Sequence, residues 1–315
     1  MKKSRLFLVL CLVTMSLAFA QCKNKKKVKS IEISENYFRK IEIDGRYDIV
    51  GRYPVSDDMA DKVNCYHFIY NEKGELEKIE YLKGGKLSND SYFGVARILF
   101  EYSSGYEKRI YQDAKGKPAN NNGAYSIQLK LNENNHPTSL FNYDENGNLF
   151  EDKSGVVQYL WTLDDNGRRI KSIRLDKKGN RIVDNDGIFE SIFQYDEQGN
   201  IIEQRYFGTD GQLKENNNGF AILRTIYDEQ GNRVELKCFG KYEQLKESIY
   251  GIAIIHQYFD EQGNCIEQSN YGKDRQLKED VNGFAIIRRE FDEQGNIIES
   301  RCFGTDGQLK ENIYG

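Results

Sequence analysis

From about residue 65 onward, short runs of β-branched and aromatic residues alternate with breaks rich in Asp, Asn and Gly. Ala221-Ile222-Leu223-Arg224-Thr225-Ile226-Tyr227 and Arg233-Val234-Glu235-Leu236-Lys237-Cys238-Phe239 are two such runs, and their composition and length predict strands. Between them stands Asp228-Glu229-Gln230-Gly231-Asn232. An Asp that opens a type I turn, with a Gly three residues on that tolerates the left-handed region, predicts a three-residue hairpin loop closed by a bulge.

The pattern repeats. Tyr195 to Asn200 recurs as Tyr227 to Asn232, Phe259 to Asn264 and Phe291 to Asn296, with a step of 32 residues. Leu163 to Gly167 keeps the step, and so does Leu131 to Asn135, with Asn135 in the glycine slot. Eight units follow, with predicted turn glycines Gly74, Gly105, Gly167, Gly199, Gly231, Gly263 and Gly295. Each unit has two further breaks, Gly208 to Gly211 and Asn216 to Gly219 in one copy. Three full reversals would flip the chain direction from unit to unit and put identical side chains in opposite environments. Two main strands per unit are therefore expected. Residues 208–219 then form one connector with a short extra strand near Leu213, and all connectors emerge on one side as a ladder.

Strand faces read as packing rather than chemistry. Ala221, Leu223, Thr225 and Tyr227 share one face, and Phe220, Ile222, Arg224 and Ile226 the other. Both are apolar at their start, so one should be covered there by the connector, with the small Ala allowing close approach. Glu203, Glu235, Glu267 and Glu299 recur in register as an acidic stripe, opposed in part by Arg224 and Arg288. Residues 31–62 depart from the pattern. Their alternating segments, and a short helix capped by Ser56, read as the N-terminal cap that a repeat array needs. The fold class expected is all-β: a tandem antiparallel β-hairpin array over 63–315, elongated as a single sheet or solenoid-like. Strand 296–303 would then be an open edge, apolar at Ile297, Ile298, Cys302 and Phe303, and able to self-associate.

The repeated Tyr-Asp-x-x-Gly-Asn core resembles the tyrosine-aspartate repeats of cell-surface and toxin-shell proteins. Its paired glycine turns are also similar to MORN-type hairpin repeats, although the 32-residue unit is longer than in either family. The resemblance implies a hairpin-array architecture and leaves function open.

The opening residues change the charge picture. Lys2, Lys3 and Arg5 precede an apolar run from Leu6 to Ala20, and Ala18-Phe19-Ala20 offers a small-x-small cleavage site. Residues 1–20 read as a secretory signal peptide and 21–30 as a basic tether. Cys22 is the candidate lipidation site, with simple cleavage after Ala20 as the alternative. Residues 1–30 carry eight Lys and Arg and no acid, which leaves 37 basic against 49 acidic side chains in the body. That net −12 repels phosphate backbones, so nucleic acid is not expected as a partner, and membrane contact is expected only through an anchor at Cys22.

Catalytic and metal chemistry find little support. His67, His136 and His256 fall in separate units without spaced partners, and cross-strand pairing or solvation explains them. Cys238 and Cys302 share a slot two units apart, roughly 19 Å at strand spacing, too far for a disulfide. They and Cys265 read as small unpaired hydrophobes. Asp184-Asn185-Asp186-Gly187 is the stretch nearest to a calcium loop, but turn formation accounts for it. No cofactor, catalytic residue or metal site is expected, and no enzyme. The reading that remains is an exported, envelope-associated scaffold that binds a protein or glycan through its connectors. A fragment of a toxin-type shell and a truncated non-functional paralogue are the alternatives.

Overall fold

Hairpins and the connectors between them account for nearly every described residue. The computed structural model describes residues 34–90 and 94–310. Strands β1 (Glu35–Ile43) and β2 (Ile49–Val55) pair first, followed by a single helical turn, α1 (Asp57–Ala60). Ser56 is the residue before α1, but its side chain makes no capping bond there. Eight hairpins come next. They are β3 (Cys65–Tyr70) with β4 (Leu76–Lys83), then, beyond β5 (Lys86–Leu87), β6 (Arg97–Ser103) with β7 (Tyr106–Gln112) and β8 (Ser126–Leu131) with β9 (Pro137–Tyr143). The series continues with β10 (Gln158–Leu163) and β11 (Arg169–Leu175), β12 (Glu190–Tyr195) and β13 (Ile201–Phe207), and β14 (Ile222–Tyr227) and β15 (Arg233–Phe239). It ends with β16 (Ile254–Phe259) and β17 (Cys265–Tyr271), β18 (Ile286–Phe291) and β19 (Ile297–Phe303), and β20 (Leu309–Lys310). The strands form one 20-stranded antiparallel meander, with β1 also paired to β3. The fold is the all-β hairpin array that the repeat predicts.

The turn chemistry explains each hairpin. In Asp228–Asn232 the Asp228 amide donates to the Asn232 carbonyl and the Gly231 amide to the Asp228 carbonyl. The Asp228 carboxylate accepts from the Gln230 and Asn232 amides and from the Asn232 side chain, at 2.7–3.0 Å. The ladder slips between Ile226 and Tyr227, which is the expected bulge. Gly231 has φ +85°, and Asn135, in the glycine slot of an earlier unit, has φ +61°. The extra strand near Leu213 is a bridge to Phe207, and the same slot forms the two-residue strands β5 and β20.

Hairpins grip their neighbours less firmly than they grip themselves. Strands β12 and β13 align six residue pairs, whereas β13 and β14 align three, Glu203 to Arg205 against Ile222 to Arg224. Except at β7–β8, where five pairs align, the turn ends therefore have no ladder bonds to the next unit and need support from elsewhere. The β1–β2 hairpin supplies it. The Gly45 carbonyl accepts the Arg169 amide at 2.9 Å, and Tyr195 packs against Gly45. Arg52 lies beside Gly231 and Tyr53 against Gly263, while Arg39 donates to the carbonyls of Glu293 and Gln294. Five successive turns thus rest on one strand pair. At Gly263 a side chain would carry two penalties, since φ is +81° and a Cβ would stand 2.3 Å from the Tyr53 ring.

These contacts curl the sheet. Fifteen strand-to-strand steps separate β3 from β19, about 70 Å along a flat sheet at the usual spacing. Yet the Asn64 amide donates to the Gln294 carbonyl at 2.8 Å, and the Asn64 side chain donates to Asn296 Oδ1 at 3.0 Å. Residues 35–55 therefore do more than cover one end: they lie on the inner side of a sheet that wraps them. The last turn, Asp292–Asn296, is correspondingly held by Arg39 and Asn64 rather than left bare, while Ile297 and Ile298 beyond it remain exposed.

The main core forms where the hairpin meets the first four units. Phe68, Ile79, Ile98, Phe100, Ile127, Leu129, Leu140 and Trp161 are buried there, with Phe38, Ile41, Tyr47 and Ile49 packed against them. Later units bury mainly the start of the first strand of each hairpin, β14, β16 and β18, under its connector. Ala221 and Ile222 are fully buried, and Ala253, Ile254 and Ala285 nearly so. Burying a side chain such as Ile222 stabilises by roughly 1.5–3 kcal/mol.

Gly231→Val is expected to destabilise by about 1 kcal/mol or more, because valine strains a positive φ and Arg52 crowds the site; an unchanged melting temperature would contradict the turn geometry. The reverse substitution is also informative. Gly211 and Gly307 share a slot with Glu243 and Arg275, whose φ values are +61° and +64°. Arg275→Gly should raise stability by roughly 0.5 kcal/mol, seen as a small rise in melting temperature.

Candidate functional site

The connectors are built as regularly as the strands. In residues 208–219, Gly208 donates to the Gln212 carbonyl and Lys214 to the Tyr206 carbonyl, so the chain folds back beside β13. A second turn is held by Asn216, whose side-chain oxygen accepts from the Asn218 and Phe220 amides. Successive second turns then bond to one another at a step of 31 residues. Lys153 donates to the Asn122 carbonyl, Asn185 to Ser154, Ile249 to Asn218 and Val281 to Tyr250, at 2.8–3.1 Å. The Asn217 side chain reaches the Asn185 carbonyl at 2.7 Å.

Charge reinforces this spine. Lys246 pairs with Glu215, Lys278 with Glu247 at 2.6 Å and Lys310 with Glu279 at 3.2 Å. The same carboxylates accept backbone amides from the next connector, those of Lys241, Lys273 and Thr305. The ladder expected on one side of the sheet is thus a hydrogen-bonded track. Its outward slots vary while its backbone repeats: one slot holds Lys153, Asn185 and Asn217 in earlier units and Ile249 and Val281 in later ones. Ile249, Tyr250 and Val281 are all more than half exposed, and Tyr242 on the same track is 78% exposed.

The acidic stripe is paired. Glu203 accepts from Arg205 and Arg224, each at 2.5 Å. Glu235 meets Lys237 at 2.6 Å and His256 at 2.9 Å, so this histidine is a cross-strand partner. Glu267 meets Arg288 at 2.7 Å and Glu299 meets Arg301 at 2.6 Å. Burial opposes ionisation of Glu203 and Glu235, but their cationic partners outweigh it and hold both carboxyls below the ordinary glutamate range. The hydrogen bonds from Lys246 and Lys278 do the same for Glu215 and Glu247.

The other candidates are occupied by structure. Asp184 accepts the Asp186 and Ile188 amides on one oxygen and Arg174 on the other, at 2.7 Å. Among the described residues no three His, Cys, Asp or Glu side chains gather as a metal set. Cys65, Cys238, Cys265 and Cys302 are free thiols, and burial pushes those of Cys65 and Cys238 up to about 11. Cys22 lies outside the described residues.

One group of residues escaped the sequence reading. Arg174, Ser172, Ser191 and Arg169 face the interior beside Trp161, around a cavity of ≈ 620 Å³. A signal was present: Arg174 stands in the slot that later units fill with Tyr206, Cys238, Asn270 and Cys302.

Glu203, Glu215, Glu235 and Glu247 set a pH dependence. Their native carboxyls titrate below the unfolded value of about 4.3, so they stabilise the fold above that pH and cease to do so as pH falls through their native values. Asp48 and Asp152, both pushed up by burial, act in the opposite sense but are fewer. The melting temperature should be flat from neutral pH to about 5 and fall below about 4.3; a constant value down to pH 3 would contradict the pairing.

No family model and no curated protein sequence matches the chain. Among solved structures, it is similar to the TcdB2-TccC3 complex, at 12% identity and a TM-score of 0.25 over 87% of this chain and 16% of that one. A second structure, TcdB2-TccC3-TEV, aligns at 11% identity and a TM-score of 0.22, over 88% and 17%. The chain thus spans about a sixth of those chains. A porin-like protein from Bacteroides uniformis aligns at 9% identity and a TM-score of 0.34, over 85% of this chain and 94% of that one.

Proposed function

We propose that this protein is an exported, envelope-associated binding scaffold whose connector track receives a protein or glycan. One observation carries the reading. The track fixes its backbone by hydrogen bonds from unit to unit, yet changes its outward residues from polar to apolar along its length. Clustered exposed apolar groups on a rigid surface mark interaction sites, and repeat arrays present extended faces of this kind. Ile249, Tyr250, Val281 and Tyr242 are the residues that would make the contact. Export rests on residues 1–20 and attachment on Cys22. The role is binding and not catalysis, and the acidic body disfavours nucleic acid.

The test is a screen of the purified protein against glycan arrays and envelope-protein extracts, repeated with the triple variant Ile249→Ser, Tyr250→Ser, Val281→Ser. These side chains are exposed, so the fold should tolerate the change. Binding should weaken by about tenfold or more; a hit that the triple variant retains undiminished would place the surface elsewhere.

A further inference from the structure

The β1–β2 hairpin fills only part of the space inside the curled sheet. Between its tip and the inner faces of β8 to β13 lies the ≈ 620 Å³ cavity, lined among others by Trp161, Arg169, Ser172, Arg174, Ser191 and Gln204. That volume falls within the roughly 300–1,000 Å³ of small-molecule sites.

Two guanidinium groups dominate its chemistry. Arg174 is 7% exposed and held rigidly, with Nε on Asp184 at 2.7 Å, Nη2 on Ser191 Oγ at 2.9 Å and Nη1 on the Ser172 carbonyl at 3.3 Å. Three of its five N–H donors are thereby used, and two remain. Arg169 is clamped differently. Its guanidinium lies 4.7 Å from the Tyr47 ring, 5.0 Å from Trp161 and 5.5 Å from Phe193. Its only side-chain hydrogen bond among the described residues is a long one, Nε to the Gly45 carbonyl at 3.4 Å. Among the described residues it has no carboxylate partner, and its Nη donors have no protein acceptor. A half-buried cation without a counter-charge is costly unless an anion completes it. The carboxylate in the cavity, Asp152, is taken by the Tyr159 hydroxyl at 2.7 Å and by the Ser154 and Val156 amides.

The remaining lining suits hydroxyl groups. Among the described residues the Ser172 hydroxyl and the Gln204 amide carry no protein hydrogen bond, and Asn142 adds an amide whose nitrogen is held by the Val156 carbonyl. Tyr159, Trp161 and Phe193 supply apolar wall. We infer that this cavity binds a hydroxylated ring bearing a carboxylate, a uronic acid or an oligosaccharide ending in one. Arg169 and Arg174 would take the carboxylate through their planar donors, and Ser172, Gln204 and Asn142 the ring hydroxyls. The site borders the early part of the connector track at Asn122 and Lys153, but Ile249, Tyr250 and Val281 take no part in it, so either reading can fail alone.

Trp161 is the chain's single tryptophan, so its emission reports on the cavity alone. The experiment titrates the full chain with D-galacturonate and D-glucuronate, and with galactose, glucose and glucose 6-phosphate as controls. A saturable change with a uronate is expected, at least about tenfold tighter than with the neutral sugars, and weakened about tenfold or more by Arg169→Gln. Gln204→Ala, a smaller change, should weaken it as well and serves if Arg169→Gln does not fold. No saturable response to either uronate, an equal response to glucose 6-phosphate, or undiminished uronate affinity in a folded Arg169→Gln protein would each overturn the assignment.

Discussion

The grip of the β1–β2 hairpin on successive turns is the constraint from which the rest of the architecture follows. Each repeat hairpin is well tied along its own length but, except at β7–β8, shares only a three-residue ladder with the next. A sheet joined in that way would twist freely at its turn ends. Gly45, Arg52, Tyr53 and Arg39 each hold a different turn, and the first units meet the same strand pair through the Phe68 to Trp161 core. Because the inner support is one short hairpin, the turns must converge on it, and the sheet curls.

On the opposite side the connectors provide a second tie. Backbone bonds at a 31-residue step and the Lys–Glu pairs join each unit to the one before. The array is thus fastened along two lines, one inner and apolar in its early part, one outer and polar. The division matters for function. The outer line can vary its exposed side chains without disturbing the backbone bonds. The inner line leaves unfilled space where the later units turn polar, at Ser172, Arg174, Ser191 and Gln204. Exposed pairs such as Glu299 with Arg301 are individually worth little, so that end of the Glu stripe adds less to the fold than the buried Glu203.

How much of this was legible in the sequence follows from the range of each interaction. Asp228, Gly231 and Asn232 lie within one turn, and their chemistry is local, so the hairpins, the bulge and Asn135 in the glycine slot could be read directly. The parity of the reversals fixed two strands per unit, and the bridge at Leu213 sits where that argument puts it. The placement of residues 35–55 could not be read. Arg39 and Gln294 are 255 residues apart, and nothing in the alternation of Ile41, Glu42 and Ile43 says which turns they will meet. The hold of Arg39 and Asn64 on the last turn could not be read for the same reason, while the strand beyond it keeps Ile297 and Ile298 exposed. The connector track was anticipated as a ladder, but its unit-to-unit bonds depend on backbone geometry that composition does not encode. The interior cavity was missed because only Arg174 departs from its slot, and the curl that brings it beside Arg169 and Trp161 is not a local property.

The central claim, that the sheet wraps the hairpin, is tested most directly by one distance. Spin labels at positions 64 and 294, in a protein whose other cysteines are replaced, would be read by pulsed electron resonance. Asn64 and Gln294 share a hydrogen bond of 2.8 Å, so the account predicts a single narrow separation below about 25 Å once the label arms are included, whereas fifteen steps of an uncurled sheet would give about 70 Å. A distribution centred near the longer value would show that the array is open and that the hairpin does not hold it.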